Sequence, residues 1–222
     1  MVEAAIRPAR AAAYRRQKRV LDLVLTMLAA PLFAPLALLL ALAIRLDSPG
    51  GVLFRQTRLG EGLRPFTIYK FRTMRPDADD HFHRQAVARW AAGPDTLAEA
   101  RPRPYYFKPE ADPRVTRVGR VLRLTGLDEL PQLLNVLRGE MSLVGPRPAI
   151  PYELEHYEPW YYRRFLVRPG ITGLWQVNRH RAPTLRDAAR LDIRYAERMS
   201  LPLDLRILAG TARLVLRRGL RF

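Results

Sequence analysis

Between Leu23 and Ile44 the chain runs for 22 residues without a charged side chain, LVLTMLAAPLFAPLALLLALAI. As a helix rising about 1.5 Å per residue this run reaches ~33 Å, enough to cross a hydrocarbon core of about 30 Å. It predicts a membrane helix retained in the mature protein. A cleavable signal peptide would have a shorter apolar region, about 7 to 15 residues, and a small-x-small cleavage site after it, and this segment has neither. Pro31 and Pro35 fall near the middle, each removing a backbone donor and favouring a kink. Basic residues flank both ends, with Arg7, Arg10, Arg15, Arg16, Lys18 and Arg19 before and Arg45, Arg55 and Arg58 after. Basic flanks prefer the cytoplasmic side, so the pattern predicts a re-entrant helix-break-helix that enters and leaves on one face. Asp22, beside Lys18 and Arg19, reads as an ion-paired residue at the membrane edge.

Outside this run the composition is that of a folded domain. At 222 residues, 48% hydrophobic and 27% charged, the chain can bury a core, which excludes a wholly disordered protein. A mean hydropathy of -0.18 also excludes a polytopic membrane protein. With no cysteine there is no disulfide framework, thiolate nucleophile or Cys-ligated metal, so any metal must be held by oxygen or histidine. His81, His83, His156 and His180 show no metal-ligand spacing. The net charge of +17 favours anionic partners: nucleic acid, an acidic lipid surface or a phosphorylated substrate. No helix-turn-helix, RRM or KH signature accompanies it, and nucleic acid is not expected as a partner.

The pattern gives an α+β fold divided into a basic segment at 1-19, a re-entrant membrane hairpin at 20-46 and a mainly helical cytosolic domain at 47-222. Segments 52-58 and 65-71 alternate apolar and polar residues around Gly60-Glu61-Gly62 and predict a small β-hairpin. Helices are predicted at 82-92, 129-137, 152-165, 184-198 and 203-218, and the five prolines within 93-113 predict a loop. In the last segment Leu203, Ile207, Leu208, Leu214 and Val215 fall broadly on one side, with Arg206, Arg213, Arg217 and Arg218 largely elsewhere. That pattern predicts an amphipathic interfacial helix over 203-222, with a core-packed helix as the alternative.

The stretch most suggestive of chemistry is RLTGLDELPQLLNVLRGEMSLVGPRP, Arg123 to Pro148. Asp128 reads as an N-cap, with Pro131 in the first turn, where its missing N–H costs little, and Gly139 closes the helix after Arg138. Adjacent carboxylates about 100° apart on a helix cannot share one face. One can therefore point into a site while the other holds a partner or a cation. The alternative is that Asp128 merely caps and Glu129 merely faces solvent.

That stretch, together with KRVLD at 18-22, YKFRTM at 69-74, DPRVTRVGRVLR at 112-123 and RPGITGLWQV at 168-177, resembles the bacterial sugar transferase family, the monotopic polyprenyl-phosphate phosphoglycosyl transferases. The resemblance implies a membrane-embedded enzyme at the cytoplasmic face of the bacterial inner membrane. Such an enzyme moves a sugar 1-phosphate from a UDP-sugar donor to a polyprenyl phosphate, releasing UMP, in a membrane step of exopolysaccharide, O-antigen or glycoconjugate synthesis. By the same resemblance Asp128 is the nucleophile and a Mg²⁺ ligand, and Glu129 handles positioning or a proton. Lys70 and Arg72 of YKFRTM, Arg123, Arg147 of the GPRP turn and Gln176 bind substrate. Lys70 could instead be a surface cation of the hairpin, and Trp175 could contact base or sugar or be core. Arg7 to Arg19 are expected at lipid headgroups, and a homodimer is left open. The chain departs from the family pattern in three places: Ala34-Pro35 for Ser-Pro, Gly126 for Ser two residues before Asp128, and Arg179-His180 where a Gly is usual.

Overall fold

Helix α1 (Pro8–Asp47) continues for 40 residues through both Pro31 and Pro35, in a computed structural model that describes residues 8-75, 81-93 and 112-219. The break expected near the prolines is therefore absent from the helix. Standing four residues apart on one face, they remove adjacent bonds, those to the carbonyls of Met27 and Pro31, which bends a helix without ending it. The helix begins within the basic segment, and by length and composition Ala12–Asp47 can cross a membrane. Its middle is open, with Leu28, Leu32 and Leu38 each more than 70% exposed, as suits a helix whose surroundings are lipid.

Strands β1 (Leu53–Leu59) and β2 (Pro65–Phe71) pair antiparallel with Phe54 opposite Lys70, as the alternation around Gly60 to Gly62 predicts. Helix α2 (His81–Ala92) follows, then α3 (Arg117–Thr125), a 3-10 helix over Leu127–Gln132 and α4 (Leu133–Arg138). Thr116 caps α3 by accepting from the Gly119 amide at 3.0 Å, a helix that is not among those predicted from the sequence. Strands β3 (Ser142–Val144) and β4 (Gly170–Thr172) form a parallel pair, unexpected because three residues are too few to show alternation. The helix expected at 152-165 is two 3-10 helices, Pro151–His156 and Pro159–Leu166. Pro159 has no N–H with which to continue the first into the second. Short α5 (Leu174–Asn178), α6 (Leu185–Arg198) and α7 (Leu201–Gly219) complete the order. The loop read at 93-113 lies mostly outside the described residues, as do Arg7 and the side chains of Arg10, Arg217 and Arg218.

Helix α7 corrects the interfacial expectation for its first half. Ile207 is buried with Val144, Val167, Tyr195 and Ala196, and Leu203 and Leu208 pack against them. Apolar side chains are nonetheless exposed along the helix, Leu205 in this half and Val215 and Leu216 later.

Both ends of α1 are fastened to this body. At the first end Tyr14 Oη and Lys18 Nζ donate to Asp204 Oδ2 at 2.8 and 2.9 Å, and Tyr195 Oη donates to Asp204 Oδ1 at 2.7 Å. Arg19 caps the C-terminus of α4 through the carbonyls of Val136 and Leu137. Asp22, 3% exposed, accepts from the Leu143 amide of β3 at 3.1 Å. Lys18, Arg19 and Asp22 of KRVLD therefore face inward, while Val20 stays 60% exposed; the expectation is headgroup contacts for Lys18 and Arg19 and a membrane-edge ion pair for Asp22. At the other end Ile44 packs with Phe71 and Leu122, and Asp47 Oδ2 accepts from the Val118 amide at 2.9 Å.

Asp204→Ala would leave the Lys18 ammonium, 13% exposed, without its carboxylate. Breaking a largely buried pair from one side costs about 3–5 kcal/mol. Thermal unfolding of the detergent-solubilised chain is expected to show a midpoint lower by roughly 6–20 °C, and an unchanged midpoint would contradict the clamp.

Candidate active site

Helix α3 ends at Gly126, whose φ of 78° lies in the left-handed region and whose amide returns to the Leu122 carbonyl. Glycine takes this conformation without a Cβ clash, which accounts for Gly126 where serine is common. The chain then turns directly into the 3-10 helix that carries Asp128 and Glu129. Gly126 occupies the cap position and no side chain caps this helix, so Asp128 is not the N-cap that its spacing suggests. It is the second residue of the helix, within the first turn, and is 4% exposed.

Three elements converge on the two carboxylates. Strand β2 delivers Lys70, whose Nζ lies 2.7 Å from Glu129 Oε1. The last turn of α3 delivers Arg123, held by Nε donating to Thr73 Oγ1 at 2.9 Å. Burial pulls the Arg123 pKa below its usual value, and the negative field of Asp128 opposes that pull. Asn135 on α4 docks the segment onto the open edge of β2. Its Oδ1 accepts from the Tyr69 amide at 3.2 Å, and its Nδ2 donates to the Thr67 carbonyl at 2.7 Å. A side-chain amide thus stands in for a third strand beside Lys70. Leu127 and Leu130, on either side of the dyad, pack in the same cluster as Ala37, Leu40, Ala41 and Ile44 of α1, setting the carboxylates against the apolar helix.

The GPRP turn lies beyond β3. Its carbonyls are pinned in succession: Pro146 by the Gly170 amide at 2.8 Å, Arg147 by Arg164 Nη2 at 2.8 Å, Pro148 by Arg58 Nη1 at 3.1 Å and Ala149 by the Leu59 amide at 2.9 Å. A Cβ on Gly170 would lie 2.0 Å from the Gly145 nitrogen, so the two loops approach as closely as backbone allows. Arg147 Nη1 donates to both carboxylate oxygens of Glu153, at 2.9 and 3.1 Å. Burial pushes the Glu153 carboxyl up, but Arg147, Arg58 and Arg164 outweigh it and hold the group below the ordinary carboxylate range. Burial, with the charge of Arg147, brings the Arg58 pKa down to about 10, and the field of Glu129 acts in the opposite sense.

The structure thus gathers Asp128, Glu129, Lys70 and Arg123 into one group and sets Arg147 in a second group whose Arg58 feels Glu129. Arg72 lies elsewhere, donating to the Ser48 carbonyl and hydroxyl and to the Pro49 carbonyl at the exit of α1. Gln176 Oε1 is buried without a hydrogen-bond partner and faces Gly173 beside the Gly145 carbonyl. Trp175 is core, its ring 5.5 Å from that of Trp90. Sequence reasoning misses Thr73, Asn135, Glu153 and Arg164, and it takes Arg58 for a membrane flank. Arg58 is the penultimate residue of β1, and only the structure shows that the last two residues of this strand are buried.

The protein is similar to the Caulobacter vibrioides protein named UDP-glucose:undecaprenyl-phosphate glucose-1-phosphate transferase, 47% identical over 203 residues that cover 88% of this chain and 68% of that one. It is also similar to the Rhizobium leguminosarum exopolysaccharide production protein PSS, 42% identical over 216 residues, 92% of this chain and 98% of that one. A third relative, the Aeromonas hydrophila protein named UDP-N-acetylgalactosamine-undecaprenyl-phosphate N-acetylgalactosaminephosphotransferase, is 39% identical over 206 residues, 90% of this chain and 43% of that longer protein. The sequence pattern described as bacterial sugar transferase matches residues 13-218. Matched from the clamp in α1 to the last turns of α7, with Asp128, Glu129, Lys70, Arg123 and Arg147 inside the span, the chain belongs to the bacterial sugar transferase family.

Proposed function

We propose that the protein transfers a sugar 1-phosphate from a UDP-sugar to a polyprenyl phosphate at the cytoplasmic face of the inner membrane, releasing UMP, as a membrane step of polysaccharide synthesis. The names of the relatives supply the donor and acceptor classes. The observation that carries this reading for the chain itself is a buried carboxylate, Asp128, set among Lys70–Glu129 and Arg123 and packed against an apolar helix. An anionic headgroup and a nucleotide diphosphate can meet at such a place, and water has little access to it.

An Asp128 oxygen attacks the sugar-linked phosphorus of the donor. The bond to the other phosphate breaks, and its electron pair leaves with UMP. An oxygen of the polyprenyl phosphate then attacks the same phosphorus and returns the electron pair to Asp128. Arg123 and Arg147 offset phosphate charge, the planar guanidinium matching two oxygens at once. Lys70 holds Glu129 in place for positioning or proton handling. The unpartnered Gln176 Oε1 accepts an N–H or O–H of the base or sugar. The oxygen donor set suits Mg²⁺ or Mn²⁺, held by Asp128 together with donor phosphates; among the described residues no cluster of three His, Cys, Asp or Glu forms a closed protein site. When bound, the cation neutralises the phosphates and stabilises departing UMP.

The anchor is re-entrant in this reading, a bent helix with both ends in the cytoplasm. A straight helix would place Asp22 and Ile44 ~33 Å apart. Yet Asp22 is bound to Leu143, Leu143 packs on Ile68, and Ile68 lies only ~10 Å along β2 from Phe71, which touches Ile44. Exposed Val121 and Leu124 on α3, with Leu134 and Leu137 on α4, bracket the dyad with apolar surface and favour headgroup depth.

Three outcomes are expected. With UDP-sugar present and lipid acceptor withheld, label from the sugar phosphate remains on the denatured chain, and Asp128→Asn abolishes both labelling and UMP release; full turnover by that variant would end the covalent scheme. Exhaustive EDTA treatment removes activity and added Mg²⁺ restores it. Single cysteines placed at Ala12 and Gly51 in this Cys-free chain both resist a membrane-impermeant thiol reagent on intact cells and both react once the inner face is opened. Labelling of the Ala12 site alone from outside would mean a spanning helix.

A further inference from the structure

We infer that Glu153 is a positioning residue that aims the Arg147 guanidinium at the donor's diphosphate, and that Arg58 and Arg164 complete a buried frame delivering one excess positive charge there through Arg147. The inference rests on the reading that Arg147 meets donor phosphate.

The backbone of the GPRP turn does not need Glu153. Each carbonyl from Pro146 to Ala149 already has a donor, from Gly170, Arg164, Arg58 and Leu59 respectively. Both oxygens of Glu153 go instead to one nitrogen of the Arg147 side chain. A fully buried carboxylate used in this way selects a direction for a flexible guanidinium. It removes the rotamer freedom that Arg147 would otherwise lose on binding substrate.

The charges of the frame do not cancel. Arg58, Arg147 and Arg164 face two carboxylates, Glu153 and Asp192, the latter paired with Arg164 at 2.5 Å. The neighbouring Tyr157 hydroxyl accepts from Arg164, and burial, the largest influence on it, keeps it a neutral phenol. Arg58 is 7% exposed and Arg164 2%, whereas the Arg147 side chain is 17% exposed. Arg147 is thus the member of the frame through which the excess cation reaches a ligand. Glu129, whose field reaches Arg58, is itself balanced by Lys70. A preorganised cation at low dielectric attracts phosphate more strongly than the same cation in water.

The test is a double-mutant cycle on the full chain in detergent, read by calorimetric binding of UDP and, separately, by UMP release. Glu153→Gln is expected to weaken UDP binding about 10-fold. In an Arg147→Ala background it should add less than about 2-fold, because a positioning residue has nothing left to position. Equal losses in both backgrounds would make Glu153 merely structural and overturn the inference, as would UDP binding that Arg147→Ala leaves unchanged. Where Glu153→Gln does not fold, Glu153→Asp, which keeps the charge on a shorter stem, is expected to give an intermediate loss that again vanishes without Arg147. A wild-type chain that binds UDP with the expected coupling yet releases no UMP from any UDP-sugar would leave the inference standing and refute the proposed transfer.

Discussion

Two buried carboxylates on opposite ends of the chain, Asp22 in α1 and Asp204 in α7, hold the apolar helix to the catalytic body. Each would be costly if left unsatisfied, and each finds its partners only when α1 lies in one register. Asp204 needs Tyr14, Lys18 and Tyr195 together, and Asp22 needs the Leu143 amide. Both constraints end on β3, since the Tyr195 hydroxyl that donates to Asp204 also lies 3.1 Å from the Val144 carbonyl. The strand that leads into the GPRP turn is therefore tied to the apolar helix. The other end of α1 packs beside the dyad through Ile44, Leu127 and Leu130, so one helix sets the place of both halves of the site.

Between its α-helices the body has little regular structure. Among the described residues two two-stranded sheets and several 3-10 helices leave many carbonyls outside any ladder, and such groups must still be satisfied. Arginine fills that role repeatedly, because its guanidinium carries five donors in a rigid fork. Arg19 caps α4, Arg58 and Arg164 pin the GPRP turn, and Arg72 closes the exit of α1. The strongly positive composition is thus partly an internal scaffold, and net charge alone overstates the field offered to anionic partners.

Some of the site was legible from local chemistry and from family resemblance. The alternation around Gly60 to Gly62 places Lys70 on a hairpin, and Gly139 after Arg138 closes α4 in the left-handed region at φ 79°. The carboxylate pair and the arginines of its motifs stand out by resemblance, but their partners do not. Glu153 lies six residues beyond Arg147 across a proline-containing turn, in a different element, and Asn135 looks like an ordinary polar residue inside a leucine-rich helix. Their roles depend on what the chain brings opposite them.

The sequence by itself determined the long apolar helix, the hairpin and most of the helices, because hydrophobic period, turn residues and helix stops act within a few residues of one another; the dyad was marked by family resemblance. Tertiary structure alone decided that Lys18, Arg19 and Asp22 face inward, that α1 stays helical through two prolines, that Arg72 binds backbone at the helix exit and that α7 is half core. The placement of these charged groups turns on partners more than 20 residues away in the chain, such as Asp204 for Lys18 or Ser48 for Arg72. A buried charge takes the partner that folding brings within hydrogen-bond distance, and no local pattern encodes that distance.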